Sequence, residues 1–382
     1  RGVNWPAMKR KYEPLLQRIG SRDELNDIFK QMMGELNALH SQVRGGDMPR
    51  DDNATRPGML GAVLTDRKNG VEITRIYAYD TELPGTAPAL ARAQVDARDG
   101  DLIIAVNGAE VKNRAELYGA LQNQAGKQVL LTLRRASNTH QTVVVPGTTR
   151  SDAQHRYQDW VANNRASVSA ADPQIGYVHL QSMVGRDVGS FASQFHADGD
   201  KQGMIIDVRR NNGGNVDSWL IMHLLREAWV FWDPRRVSPY PNMQRAFRGH
   251  LVVIADERTY SDGETFTAAI KSFGIADVIG RRTAGAGVWL NNRNRQADGG
   301  LARVAQSPVF DMEGNWVVEG YGVSPTIEVV NYPHATFNGE DAQLSAAIEH
   351  LQRKIEAAPV PPLTPRPFPQ DLGPGKDVPA RD

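Results

Sequence analysis

The sequence contains no cysteine. Disulfides, thiol nucleophiles and cysteine-based metal sites are therefore excluded, and the compartment is left open. Net charge is also absent. The 44 Lys+Arg are matched by 44 Asp+Glu, which removes any general electrostatic case for nucleic acid or an anionic membrane as partner. No apolar run approaches the length of a membrane span, and no signal peptide is visible. Because the first residue is Arg1 rather than Met, the missing leader carries little weight. The histidines show no metal-ligand spacing, so neither a metal nor a cofactor is expected.

What remains is the composition of a folded chain, 40% hydrophobic and 23% charged over 382 residues. That length suggests two or three domains. Residues 1–54 read as a helical segment. Ser21 and Glu24 form a capping box, and Leu25, Ile28, Phe29, Met32, Met33, Leu36 and Leu39 recur at three and four. Gly45-Gly46 stops this helix, which places His40 in its last turn or just after. Residues 55–150 run from Pro57-Gly58-Met59-Leu60-Gly61, through Gly100-Asp101-Leu102-Ile103-Ile104-Ala105-Val106-Asn107-Gly108, to strands at 129–133 and 142–145. Residues 151–357 alternate strands and helices, which implies an α/β core. Hairpin strands are expected near 302–309 and 316–318. Residues 358–382 are Pro-rich and read as a disordered tail.

The chemistry centres on Tyr260-Ser261-Asp262-Gly263-Glu264. The apolar, mostly β-branched run 251–255 precedes it as a buried strand, and a helix follows from Thr265. Ser261 thus sits at a strand-to-helix turn, with free backbone N–H groups behind it. An attacking hydroxyl needs that exposure and those donors. A helix N-cap accounts for the same serine, so this stretch alone does not decide between the two readings.

Three segments taken together go further: Asn211-Asn212-Gly213-Gly214, Tyr260-Ser261-Asp262-Gly263-Glu264 and Gly322-Val323-Ser324-Pro325. They resemble the tail-specific (C-terminal-processing) serine proteases, and the Gly-Asp-Leu-Ile-Ile-Ala-Val-Asn-Gly stretch resembles a PDZ domain. The resemblance implies an α/β (α+β) multidomain fold: a helical segment, a PDZ-like β-barrel domain and a ClpP/crotonase-like α/β catalytic core. Most members of that superfamily carry a catalytic lysine in a Gly-Lys-Gly loop. Here the loop is Gly285-Ala286-Gly287, so no Ser–Lys dyad is possible. The sequence is instead similar to the tricorn protease core, in which His, Ser and Glu act together. His40 ahead of Gly45-Gly46-Asp47, and Glu319 ahead of the Gly-Val-x-Pro run, match that design.

The resemblance implies Ser261 as nucleophile, His40 as general base and Glu319 as its orienter. Asp262 together with the Gly213-Gly214-Asn215 turn would supply the oxyanion hole. Leu39 replaces the serine that bridges His and Glu in the tricorn pattern, so a direct, a water-mediated and an absent Glu319–His40 link all stay open. Asp233, ahead of Pro234-Arg235-Arg236, matches an aspartate that lines the pocket for the residue before the cut and comes from a neighbouring subunit. That implies cleavage after basic residues and a homo-oligomer. A surface ion pair of Asp233 with Arg235 or Arg236 competes with this role. The remaining implied partners are peptide substrates and N-terminal propeller domains not visible in this chain. A cytoplasmic location is expected, with the periplasm as the alternative. Two other functions remain open: a non-catalytic PDZ-containing binding or scaffold protein on the same fold, and an esterase.

Overall fold

The computed structural model describes residues 2–48, 54–243, 246–290 and 294–367. It divides into two compact units, Arg1–Met48 with Val168–Asp382, and Pro49–Ser167.

The chain opens with helices α1 (Trp5–Tyr12) and α2 (Arg22–Gly34). The predicted capping box is present: Ser21 Oγ accepts from Glu24 N, and Glu24 reaches back to the Ser21 amide. The helix does not reach His40. It ends at Gly34, and Asn37 takes a left-handed φ of 49°. Leu36 and Leu39 continue the helical spacing, but Leu39 is 54% exposed and buries nothing that would sustain another turn. His40 instead leads into strand β1 (Gln42–Arg44).

The unit 49–167 contains β2 (Ala62–Arg67), β3 (Gly70–Ile76), β4 (Leu102–Val106), β5 (Ala109–Glu110), α3 (Arg114–Ala120), β6 (Val129–Arg135) and β7 (Asn138–Val144). An antiparallel sheet in the order β2-β3-β4-β6-β7, with β5 on β4, wraps a core of Ile73, Ile103, Leu117, Leu131, Leu133 and Val144. Strands here alternate: Val129, Leu131 and Leu133 are fully buried while their neighbours are half-exposed, the period of a sheet with one face covered. In the Gly58–Gly61 loop, the Gly58 and Met59 amides donate to Leu121 and Gly147 carbonyls. Helix α4 (Thr149–Ala171) runs across the expected boundary at 150.

The other unit is built on a parallel sheet of five strands in the order β17-β13-β12-β9-β8. These are β8 (Ile175–His179), β9 (Gly203–Asp207), β12 (His250–Ala255), β13 (Asp277–Gly280) and β17 (Ile327–Glu328). Every residue of β8 and β9 is buried. A parallel sheet covered on both faces demands such continuous apolar runs. Helices α5 (Gly185–Ala197), α6 (Asp217–Leu224), α7 (Asp262–Ser272), α8 (Pro333–Phe337) and α9 (Ala342–Ala357) complete this unit. Phe191, Phe195, Leu220, Phe266 and Ile270 pack with Val178, Ile206 and Val253 of the strands, while Leu351 and Ile355 of α9 reach Gly203.

Short antiparallel pairs lie outside this sheet: β10 (Phe231–Trp232) with β11 (Tyr240–Pro241), and β14 (Val288–Leu290) with β16 (Ala305–Pro308). The expected hairpin at 302–309 and 316–318 is reduced to its tip. β15 (Leu301–Arg303) pairs with β1 and β16 pairs with β14, while Trp316 bridges Phe310 and Val317 N donates to Val309 O at 3.0 Å. The cause is local: Val318 takes a left-handed φ of 71°, which no extended strand accommodates.

Part of the expected tail is tethered. His250 Nε2 lies 2.7 Å from the Ala358 carbonyl, Arg248 donates to the Pro361 carbonyl at 2.7 Å and Val360 N donates to Gln202 at 3.2 Å. Residues 368–382 lie outside the described residues.

Candidate active site

In an open parallel sheet, the loops at the carboxyl ends of the strands form the natural ligand crevice. Two such loops meet here. The one after β9 carries Asn211-Asn212-Gly213-Gly214-Asn215, and the one after β12 carries Tyr260-Ser261-Asp262. Tyr260 N donates to the Asn211 carbonyl at 3.0 Å, tying the loops together. The fully buried Asn211 side chain accepts from Gly213 N at 2.8 Å and donates to Leu180 O at 2.7 Å, which sets the glycine turn.

Ser261 precedes α7 with φ 58° and ψ −121°. For a non-glycine residue this backbone stores strain of about 1–3 kcal/mol. It is the sharp strand-to-helix elbow that lifts a serine hydroxyl off a sheet. The turn caps α7 through the Ser261 amide, which donates to Glu264 Oε1 at 3.1 Å, while no hydrogen bond from α7 reaches the Ser261 hydroxyl among the described residues. A Cβ placed on Gly213 would stand 2.5 Å from Ser261 Cβ and 2.9 Å from its Oγ. Only glycine lets the two turns approach this closely.

The backbone donors divide sharply. Asn215 N donates to Met183 O at 2.8 Å, so the Asn215 amide expected in the oxyanion hole is already committed. Gly214 N and Asp262 N have no protein acceptor among the described residues. The Gly214 turn is fixed by the backbone of Met183, whose carbonyl would lie 1.7 Å from any Cβ there. The Asp262 carboxyl accepts from Val216 N (2.7 Å) and Asp217 N (3.1 Å) at the start of α6, binding that turn to the Ser261 elbow. Burial, and then the nearby Asp217 carboxylate, raise Asp262 to about 7.

His40 is buried beside this elbow, its ring centroid 4.7 Å from that of Tyr260, the residue before Ser261. Burial holds its pKa below the ordinary value; Arg303 adds to the lowering, while Glu319 and the Val288 carbonyl oppose it. The imidazole is thereby kept neutral and able to take a proton near pH 7. Its buried Nδ1 has no hydrogen-bond partner among the described residues. No direct hydrogen bond thus joins Glu319 to Nδ1, while the Glu319 charge opposes the lowering of His40 and its Oε2 accepts from Gly287 N (2.8 Å) and Val288 N (2.9 Å). A cleft of about 660 Å³ opens beside Glu319, walled by Leu36, Ala38, Val288, Pro308, Val309 and Trp316.

Asp233 follows β10 on an exposed surface and makes no ion pair with Arg235 or Arg236 among the described residues. Lys271 is exposed and spends its ammonium on the Ser324 carbonyl at 2.6 Å. No group of three His, Asp or Glu suited to a metal occurs among the described residues. No helix among them is long and apolar enough to cross a membrane. Three participants were not singled out from sequence: Tyr260 against His40, Asn211 beneath the glycine turn, and Glu264. The last had a signal, since an acid three residues after a turn serine is capping-box spacing.

Comparison with known proteins places this geometry. Residues 174–329 match the model of peptidase family S41, residues 58–148 that of the tricorn protease PDZ domain and residues 1–34 that of the tricorn protease C1 domain. Tricorn protease homolog 1 of Streptomyces coelicolor is 34% identical over 95% of this chain and 34% of its own length. Tricorn protease of Thermoplasma acidophilum is 28% identical over 90% of this chain and 32% of its own. A crystal structure of the tricorn protease superposes with a TM-score of 0.85 at 27% identity, covering 92% of this chain and 34% of that one. The chain thus spans about a third of the length of these relatives.

Proposed function

Since the chain belongs to the tricorn branch of peptidase family S41, we propose that it hydrolyses peptide bonds of short or unfolded peptides with Ser261 as nucleophile. The observation that carries this reading is the Ser261 elbow, a strained serine with an uncommitted hydroxyl between two unpaired amides. His40 takes the hydroxyl proton as Ser261 Oγ attacks the scissile carbonyl. The Gly214 and Asp262 N–H groups receive the oxyanion. Removing one such donor typically costs roughly 2.7–4 kcal/mol of barrier. His40 then passes its proton to the leaving amine, the acyl-enzyme forms, and water reverses the sequence to release the acid. Glu319 stabilises the imidazolium electrostatically.

Specificity extends this reading. Asp233, exposed and unpaired on its hairpin, would line the pocket of a second copy and favour a Lys or Arg before the cut. A carboxylate–cation pair about 4 Å apart gains roughly 4 kcal/mol at an effective dielectric near 20 before desolvation is subtracted. The test is digestion of a random peptide library, read by mass spectrometry, with wild type, Ser261→Ala and Asp233→Asn. Cleavage lost in Ser261→Ala supports the reading, and cleavage retained there overturns it. An unchanged Arg/Leu ratio in Asp233→Asn removes Asp233 from the pocket.

A further inference from the structure

Glu264 is a carboxylate with no exposed surface, held by donors from two separate segments, the Ser261 turn and the loop 283–286. Its Oε1 accepts from Ser261 N (3.1 Å) and Ala286 N (2.7 Å), and its Oε2 from Gly285 N (2.6 Å) and Thr283 Oγ1 (2.5 Å). Thr283 Oγ1 in turn accepts from Val323 N at 2.8 Å, so its proton faces Glu264. Burial raises its pKa above the ordinary carboxylate value, and the four donating partners oppose that rise by favouring the anion. The next two amides of the same loop, Gly287 N and Val288 N, turn to Glu319. Four consecutive amides, 285 to 288, are thus shared between two carboxylates. One grips the amide of Ser261 and the other faces His40 with its charge.

Both glycines serve this arrangement. Gly285 has a φ of 91°. A Cβ on Gly287 would stand 2.7 Å from both Glu319 N and Val317 O. Ala286, 1% exposed, fits without a longer side chain.

We propose that Glu264 is a positioning residue and that the 285–288 loop is the spacer through which it sets the separation of Ser261 from the Glu319–His40 pair. The inference rests on the peptidase reading above. It assigns the loop a task in alignment, with no part in proton transfer. Because Glu264 touches no substrate in this scheme, its loss lowers turnover and leaves substrate binding in place.

The experiment measures kcat and KM for one peptide across pH in wild type, Glu264→Gln, Gly287→Ala and Thr283→Val, with folding checked by circular dichroism. Glu264→Gln sets an amide N–H against backbone donors, and kcat is expected to fall by roughly a hundredfold, the loss that a misplacement near 1 Å brings, at nearly constant KM. Gly287→Ala displaces Glu319 from the other end of the loop. The charged and ring groups facing His40 are Glu319, Arg303 and Tyr260. Weakening the first lowers the His40 pKa, so the acid limb of kcat/KM moves to lower pH, which general destabilisation would not produce. Thr283→Val removes one of four donors and lowers kcat less. If Glu264→Gln does not fold, Gly287→Ala and Thr283→Val decide. A wild type that cleaves no peptide overturns the peptidase reading and this inference together. A cleaving wild type whose folded variants keep kcat within about twofold, with an unmoved acid limb, overturns this inference alone, since a hundredfold loss was required.

Discussion

The two compact units treat buried polar groups differently. In the unit 49–167 they are fewer: Asp101 binds Arg135 and the Arg98 amide, Thr142 accepts from Asp96 N, and the buried Gln158 Oε1 has no partner among the described residues. In the other unit Asp207, Arg209, Asn211, Thr259, Ser261, Asp262, Glu264 and Thr283 are all buried along the carboxyl ends of β9, β12 and β13, where those strands give way to loops and helix α7. Apolar residues of similar volume would stabilise that region at least as well. The first unit uses buried polarity to finish a fold. The second gathers it around Ser261, which is held in a strained turn against Gly213.

Substitutions can break that contrast, and they rank by size. Ser261→Ala should lower kcat/KM on peptides by about 10⁴-fold or more while the melting temperature stays close to wild type, because the alanine keeps the packing and loses only an uncommitted hydroxyl. His40→Ala should cost about 10³–10⁴-fold. Lys271→Ala, at an exposed ammonium on a carbonyl, should stay within a few-fold. Steady-state kinetics on one fluorogenic peptide reads all three. Glu319→Gln should fall between His40→Ala and Lys271→Ala, at about tenfold, since only a charge interaction with His40 is removed.

The contrast also has a pH signature. Asp262 is raised to about 7 in the folded protein from an ordinary 3.8. Its contribution to stability is therefore fully present below pH 3.8 and is lost as pH rises through about 7. Melting temperatures of Asp262→Asn should accordingly fall less than those of wild type between pH 4 and pH 8. Thr142→Val, in the other unit, should cost about 1 kcal/mol in denaturant unfolding with no change in kcat. A large catalytic loss there would erase the distinction between the units.

Much of this was legible beforehand. The parallel strands announced themselves as unbroken apolar runs, and the elbow as a serine between a buried strand and a helix. The exchange of a lysine for Ala286 alongside His40 and Glu319 pointed to one catalytic design over another. Periodicity failed at 35–40, because Leu36 and Leu39 keep helical spacing where Gly34 and Asn37 end the helix. It overreached again at 316–318, where the pairing stops after Val317 because Val318 takes a backbone that its side chain disfavours. The commitment of the Asn215 amide to Met183, and the sharing of the 285–288 amides by two acids, depend on approaches between residues far apart in sequence. No local pattern encodes them.

The central claim is that Ser261 is activated by His40. Labelling with a fluorophosphonate probe, followed by peptide mapping, tests it most directly. The account predicts a single adduct on Ser261, absent in Ser261→Ala and slowed by about 10³-fold in a folded His40→Ala protein. Rapid labelling of Ser261 in His40→Ala, or an adduct at another residue in wild type, would contradict it.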